Sequence, residues 1–169
     1  MNLYDATVPV FTKLLTNVDK WLDKAVAHAE QKKFDPDTLL TARLAPDQFA
    51  LARQIQIACD GAKAYTAKLA GKEPPSHPDT ETTIAELRQR LKTVIDYLAT
   101  FSREDFVGAE DRPITQPRWE GKTLRGGDYL DYYALPNIHF HLTTTYAILR
   151  HNGVDLGKRD YLGTLPFQS

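Results

Sequence analysis

Apolar residues recur along the chain at alternating spacings of four and three. The clearest run begins near the N-terminus and comprises Tyr4, Val8, Phe11, Leu15, Val18, Leu22, Ala25 and Ala29. Residues at these spacings share one face of an α-helix, because the helix completes a turn every ~3.6 residues. The pattern therefore predicts a long amphipathic helix over 4–29.

Three further runs have the same spacing. They are Leu51, Ile55, Ala58, Ala62, Tyr65 and Leu69; Ile84, Leu87, Leu91, Val94, Leu98 and Phe101; and Leu130, Ala134, Asn137, His141, Thr144 and Ile148. A repeat of about 3.5 residues favours helices that pack at shallow crossing angles. Four such helices predict an all-α protein, a four-helix bundle with a single domain over 1–169.

The segments between these runs carry turn and cap residues. Pro46 and Asp47 predict the start of the second helix. The proline-rich "GKEPPSHPDTE" predicts an extended connection, with Asp79 or Thr80 as the cap of the third helix. Before the fourth helix, "PITQPRW" and "KTLR" flank the Glu-Gly pair at 120–121, which predicts a short hairpin.

Composition narrows the classes of function. The net charge is −1, so no basic surplus is available to neutralise phosphates, and we expect no nucleic-acid partner. Cys59 is the only cysteine, which excludes an intrachain disulfide and fits a reducing compartment. The chain shows neither a signal peptide nor an apolar run of ~20 residues. We therefore expect a cytoplasmic protein without a membrane span.

Histidines cluster in "LPNIHFHLTTTYAILRHNG". His139 and His141 point ~160° apart on a regular helix, so they cannot bind one metal ion together. His141 falls at the centre of the predicted inward face, with Asn137, Thr144 and Thr145 as polar neighbours. Buried polar groups need hydrogen-bond partners. Two interpretations stay open: an internal network that fixes the helix register, or a pocket for a ligand or metal.

Two further residues bear on this choice. Pro136 removes a backbone hydrogen bond inside the fourth helix and predicts a kink there, next to the polar cluster. Trp119 lies in the predicted hairpin loop, where a tryptophan packs down on the core, covers a pocket or anchors a dimer contact.

Three stretches carry a resemblance to a known family: "LYDATVPVF", "LARQIQIACDGAKAYTAKLAGKEPPSHPDTE" and "GGDYLDYYALPNIHFHLTTTYAILRHNGVDLGKRDYLG". With these the chain resembles the DinB-like (DinB/YfiT-like) superfamily of bacterial four-helix proteins, in a branch known only as a domain of unknown function. The resemblance covers essentially the whole chain. It implies an up-down-down-up bundle, with the second and third helices parallel, and a homodimer.

The resemblance also implies a metal site to look for. Many relatives bind Zn or Ni through one histidine on helix two and an H-x-x-x-H pair on helix four, and some use the metal to activate a thiol. Here "HLTTTYAILRHNG" matches with His141, but the partner position is Asn137 and helix two offers only Gln54 or Cys59. Amides are poor ligands for these metals. We therefore expect no metal cofactor; if one is present, His141 is its ligand.

Two functional hypotheses follow. The first is a dimeric small-molecule-binding bundle without the usual three-histidine metal site, whose pocket comprises His141, Asn137, Thr144, Thr145, Gln54 and Trp119. The second is a metal-dependent enzyme of the thiol-transferase kind, with His141 as the remaining ligand or as a general base. The sequence contains no nucleophile elbow or phosphate loop, so it assigns neither catalytic residues nor a substrate.

Overall fold

Four long helices form the body of the protein in the computed structural model, which describes residues 2–168. They are α1 (Leu3–Lys32), α2 (Leu51–Leu69), α3 (Ile84–Leu98) and α4 (126–151). The shorter elements are 3₁₀ helices over Pro36–Thr41, Arg103–Phe106 and Pro117–Trp119, strands β1 (Pro113–Ile114) and β2 (Leu124–Arg125), and helix α5 (Lys158–Leu162). The predicted all-α class is confirmed.

Side-chain contacts show that α3 runs antiparallel to α1. Near the start of α3, Arg88 pairs with Asp19 in the middle of α1, with 2.8 Å between the charged atoms. Just beyond the end of α3, Arg103 pairs with Asp5 in the first turn of α1. In the same way, α4 runs antiparallel to α2, because its residues contact α2 in the reverse order of the sequence.

The segment between α2 and α3, residues 70–83, runs back along α2 in an extended conformation and is called the crossover below. Lys63 contacts His77, with 3.2 Å between Nζ and Nδ1. About two turns nearer the start of α2, the Gln56 amide donates to the Glu81 carboxylate at 2.9 Å. The crossover thus returns the chain to the start of α2, so α2 and α3 are parallel. The predicted up-down-down-up order is confirmed.

The third helix starts later than predicted. Its cap is Thr83, whose hydroxyl accepts from the backbone N–H of Glu86 while the Glu86 carboxylate accepts from Thr83. The prediction of Asp79 or Thr80 as the cap is wrong. The Asp79 carboxylate is instead engaged by the guanidinium of Arg90, at 2.9 Å, and so is held away from the helix terminus.

The second helix also starts later than predicted, at Leu51 rather than at Asp47. The chain before it forms a turn in which the N–H of Gln48 donates to the carbonyl of Ala45 at 3.1 Å. The N–H of Leu51 then donates to the carbonyl of Ala42 at 2.9 Å. The preceding loop therefore provides the acceptor for the first backbone N–H of α2, which has no partner within the helix. No side chain among residues 2–168 caps this helix.

Helix α4 contains one wide turn. Residues Leu130–Ala134 form a π turn, in which the N–H of Leu135 donates to the carbonyl of Leu130, five residues earlier. The helix continues as α over Leu135–His151. Pro136 lies two residues after the last residue of the π turn, so the residue that has no N–H lies where the regular hydrogen-bond pattern is already interrupted.

The π turn changes which face of α4 is buried. Beyond it the centre of the buried face is the line Ile138, Leu142, Thr145 and Leu149, and Thr144 and Ile148 are buried beside it. The sequence predicted the line one residue earlier, because a π turn inserts one residue and rotates all that follow by ~100°. The expectation that His141 lies at the centre of the buried face is therefore wrong. His141 and Asn137 are half-buried on the flank that contacts α2.

The predicted hairpin before α4 is present. β1 and β2 pair antiparallel, and Glu120 and Gly121 between them have φ values of 52° and 82°. At the end of the hairpin α4 starts at Gly126, where an added Cβ would lie 1.8 Å from the carbonyl oxygen of Ala109. Only glycine allows this approach, which seats the hairpin against the bundle.

The C-terminal segment is tied to the bundle through α5. The Tyr161 ring stacks on the buried Trp21 with 5.6 Å between centroids, and the Tyr161 hydroxyl lies 3.1 Å from Nδ1 of His139. His139 and His141 thus contact different parts of the molecule. Over residues 2–168, no helix is both long enough and apolar enough to cross a membrane.

Candidate functional site

A hydrogen bond between α2 and α4 fixes the imidazole of His141. Its Nδ1 lies 2.8 Å from Oε1 of Gln54. The Gln54 amide nitrogen donates to the carbonyl of Phe49 at 3.1 Å, which leaves the amide oxygen to accept. His141 therefore carries its hydrogen on Nδ1, and its Nε2 has a lone pair. Nε2 makes no hydrogen bond with any residue between 2 and 168.

The surroundings of His141 keep the imidazole neutral. Partial burial lowers its pKa below the usual value, and the positive charge of Arg53 lowers the pKa further. At neutral pH Nε2 is therefore an acceptor, able to bind a donor group or to take up a proton.

One turn earlier on α4, Asn137 is held by a tyrosine from α2. The Tyr65 hydroxyl donates to the Asn137 amide oxygen at 2.8 Å. Burial raises the pKa of Tyr65, so the hydroxyl keeps its proton and acts as a donor. The amide oxygen of Asn137 is thus already engaged by the protein.

Tyr65 belongs to a group of four aromatic side chains in mutual contact, called the aromatic cluster below: Tyr65, Trp119, Tyr129 and Tyr133. Tyr133 is central, with ring centroids 5.9 Å from Tyr65, 5.5 Å from Tyr129 and 5.1 Å from Trp119. The Tyr133 and Trp119 planes are 87° apart, the edge-to-face arrangement that aromatic pairs favour. The π turn supplies Tyr133, and the hairpin supplies Trp119.

Two surface cavities flank Trp119. One, of about 360 Å³, is lined by Gln116, Pro117, Arg118, Trp119 and Tyr133. The other, of about 390 Å³, is lined by Arg118, Trp119, Glu120, Lys122, Thr123 and Leu124. The indole ring and the Arg118 side chain line both, so a ligand in either cavity would contact them.

The two predicted threonines play a different part. The Thr144 hydroxyl donates to the carbonyl of Phe140 at 2.8 Å, and the Thr145 hydroxyl donates to the carbonyl of His141 at 2.9 Å. Both bonds lie within α4, the usual arrangement for threonine inside a helix. The hydroxyls are therefore satisfied by their own helix.

The six predicted site residues thus fall into three groups. His141 and Gln54 form one pair, and Thr144 and Thr145 are engaged by the backbone of α4. Trp119 and Asn137 are joined through tyrosines of the aromatic cluster.

Sequence reasoning missed the tyrosines and Arg53. The tyrosine-rich "YLDYYALP", which ends at Pro136, was the pattern that could have indicated the aromatic cluster. Arg53 precedes Gln54 along the chain, and only the fold shows that its charge acts on His141.

The donors at the position where the resemblance implies a metal site do not fit a Zn or Ni ion. His141 is joined there by Gln54 and Asn137, whose amide oxygens already accept from His141 and Tyr65. Burial raises the pKa of the Cys59 thiol to about 12, so this sulfur is not a ready thiolate ligand. Within residues 2–168 no group of three or more His, Cys, Asp or Glu side chains could hold a metal ion.

The helix order, the crossover and the site between α2 and α4 define a DinB-like bundle. A family model described as "Domain of unknown function (DUF1993)" matches residues 3–162, and the chain belongs to this family. The fold is also that of the crystal structure of a DinB family member protein from Shewanella denitrificans. That protein is 54% identical, with a TM-score of 0.96 over 99% of this chain and 95% of that chain.

A second likeness is local. Mitochondrial lipoyl synthases from Oryza sativa subsp. indica and subsp. japonica are 37% identical to the chain over 54 residues. The match spans 32% of this chain and 14% of each synthase. It is too short to assign the synthase activity to this protein.

Proposed function

We propose that the protein is a dimeric bundle that binds a small molecule without the three-histidine metal site of its relatives. The cavity of about 360 Å³ beside Trp119 and Tyr133 carries this proposal, because its volume is in the range of small-molecule sites. Tyr133 contacts Tyr65, which donates to Asn137, so the cavity wall is fixed by the bundle itself.

The lining residues favour one class of ligand. The aromatic side chains of Trp119 and Tyr133 in the lining suit a ligand with an apolar ring. Arg118 adds a positively charged side chain to the lining, and a guanidinium binds a carboxylate through two parallel hydrogen bonds. The ligand class supported by these side chains is a small aromatic carboxylate.

Calorimetric titration tests this proposal. Benzoate, 4-hydroxyphenylacetate and indole-3-acetate are the probes, and we expect saturable binding of at least one to the wild-type protein. Trp119→Ala removes the indole ring from the lining of the cavity, so it should abolish this binding. Arg118→Gln should lower the affinity for the carboxylate probes at least tenfold, which corresponds to about 1.4 kcal/mol of binding free energy and is typical of a lost charge-assisted hydrogen bond.

The matched control is the amide of the same probe. Arg118→Gln should leave its affinity unchanged, because the amide has no charge to pair with the guanidinium. The proposal fails if no probe binds saturably, or if Trp119→Ala binds the probes as the wild type does.

The alternative is an enzyme of the thiol-transferase kind, and the state of His141 supports it. Its neutral imidazole presents a free Nε2, which suits a general base. The test is metal analysis by mass spectrometry after purification without a chelating tag, together with an assay for a thiol cosubstrate. Near-stoichiometric Zn or Ni that disappears in His141→Ala would support the alternative and contradict the metal-free proposal.

Exposed side chains on α4 support the dimeric state. Tyr132 is 78% exposed and Phe140 is 58% exposed, with Pro136 midway between them. These three residues, called the α4 strip below, recur at intervals of four and lie on the outside of the bundle. Large apolar side chains grouped on a surface are typical of protein–protein contacts, and we assign the dimer interface to this strip.

A further inference from the structure

A buried arginine holds the crossover against α2 and α3. The side chain of Arg90, on α3, is 2% exposed. Its Nη1 donates to the Pro78 carbonyl at 3.0 Å and to the Glu81 carboxylate at 2.9 Å, both in the crossover. Its Nη2 lies 2.9 Å from carboxylate oxygens of Asp60, on α2, and Asp79, in the crossover. One guanidinium thus ties three segments together.

A second contact of the crossover involves a group that titrates near neutral pH. The side chain of Lys63 is 5% exposed, and its ammonium lies 3.0 Å from the Asp60 carboxylate and 3.2 Å from Nδ1 of His77. An ammonium group can only donate hydrogen bonds. His77 must therefore accept at Nδ1, which requires a neutral ring with its hydrogen on Nε2.

We propose that this contact makes the docking of the crossover dependent on pH. When His77 takes up a proton at Nδ1, it can no longer accept from Lys63, and a second positive charge then lies beside the ammonium. The part of the crossover just before Pro78, which Arg90 does not hold, is released from α2 in acid and docks again when the ring loses the proton. The protein thus contains an acid-sensitive latch, separate from the proposed ligand cavity.

Charges of both signs face His77, and together with burial they set the direction in which its pKa is shifted. The surrounding groups are Lys63 and Asp60 from α2, Arg90 and Glu86 from α3, and Asp79 and Glu81 from the crossover. Partial burial, Lys63 and Arg90 lower the pKa of His77, and the carboxylates of Asp60 and Glu81 oppose them without reversing the shift. Asp79 is paired with Arg90, and Glu86 with the N-terminus of α3.

The sign of the pH effect follows from this direction. Because the pKa of His77 is lower in the folded protein, the neutral ring is favoured there. The stabilisation is fully present above the unfolded value of ~6.5 and is lost as the pH falls below it towards the folded pKa.

Nuclear magnetic resonance tests the latch. The {¹H}–¹⁵N heteronuclear NOE of the Ser76 and His77 amides reports crossover order, and the Cε1–H shift of His77 reports protonation. In the wild type we expect both NOE values to fall between about pH 7.5 and about pH 5 as the ring titrates. In His77→Asn the amide oxygen takes the place of Nδ1 and cannot be protonated, so the NOE values should stay high at both pH values.

Three results would overturn the proposal. The first is a wild-type His77 that titrates while the NOE values stay unchanged. The second is a His77 ring that remains neutral down to about pH 5. The third is a crossover that loosens equally in His77→Asn, which would assign the effect to the carboxylates of Asp79 and Glu81 instead.

Discussion

At the scale of single residues, the chemistry of His141 is decided by a side chain on another helix. Gln54 is oriented by the carbonyl of Phe49, so its amide oxygen faces His141 and selects the Nδ1–H tautomer. His141 could be singled out in the sequence as a polar residue in an apolar run. Its tautomer could not be predicted, because it depends on a backbone carbonyl in the loop before α2.

The charge of Arg53 offers a test at this scale. Arg53→Gln should raise the pKa of His141, because it removes a positive charge that disfavours the imidazolium form. The pKa should stay below the usual ~6.5, since burial remains the larger cause. Titration of the His141 Cε1–H resonance measures the shift.

His139 is the internal control in the same spectra. Burial alone lowers its pKa, with no charged neighbour contributing, so Arg53→Gln should leave the pKa of His139 unchanged. An equal rise at both histidines would show a general loosening of α4 and contradict the electrostatic explanation.

At the scale of elements, the spacing of apolar residues predicted the first part of α4. After the π turn it predicted burial correctly for Thr144 and Ile148 but not for Asn137 and His141, which are half-buried. The runs in the other helices keep a regular register, whereas the π turn at Leu130–Ala134 adds one residue to α4. Pro136 predicted an irregularity, but a proline does not specify a kink, a 3₁₀ turn or a π turn. The wide turn also presents Tyr133 to Trp119, a contact between distant positions that no local pattern encodes.

The crossover allows a second test. Arg90→Met should lower the free energy of unfolding by about 3 kcal/mol or more, because it leaves the carboxylates of Asp60, Asp79 and Glu81 without their buried cation. Thermal and urea denaturation measure this loss. The magnitude expected for breaking a buried ion pair is several times that for an exposed one.

Arg88→Met is the matched control for this test. Arg88 lies on the same helix but pairs with Asp19 and Asp23 at the surface, where its side chain is 37% exposed. Replacing it should lower the free energy of unfolding by about 1 kcal/mol or less. If both variants lose the same free energy of unfolding, the buried ion pairs of Arg90 stabilise the fold no more than the exposed pairs of Arg88 do.

At the scale of the whole molecule, four helices and the hairpin were predicted from patterns of apolar and turn residues. The parallel pairing of α2 and α3 came from family resemblance, because helix periodicity carries no information on direction. The contacts that fix this direction, such as Gln56 with Glu81, join positions 25 residues apart. Side chains of that separation are brought together only by the complete fold.

The assembly state is tested at this scale. Light scattering coupled to size-exclusion chromatography should give the mass of a dimer for the wild type. The double variant Tyr132→Glu/Phe140→Glu should give a monomer, because it places charges in the proposed apolar interface. Val107→Glu, at an apolar residue 74% exposed outside the α4 strip, should stay dimeric. A monomeric wild type would contradict the proposed interface.

The π turn also has a consequence for how this gene can change in length. A single codon deleted within the π turn Leu130–Ala134 would convert α4 into a regular helix and turn the residues before the deletion by ~100° relative to the rest. Tyr129 would then leave the aromatic cluster, while the residues of α4 after the deletion kept their packing. The number of residues in this short interval therefore decides whether Tyr129 can take part in the aromatic cluster.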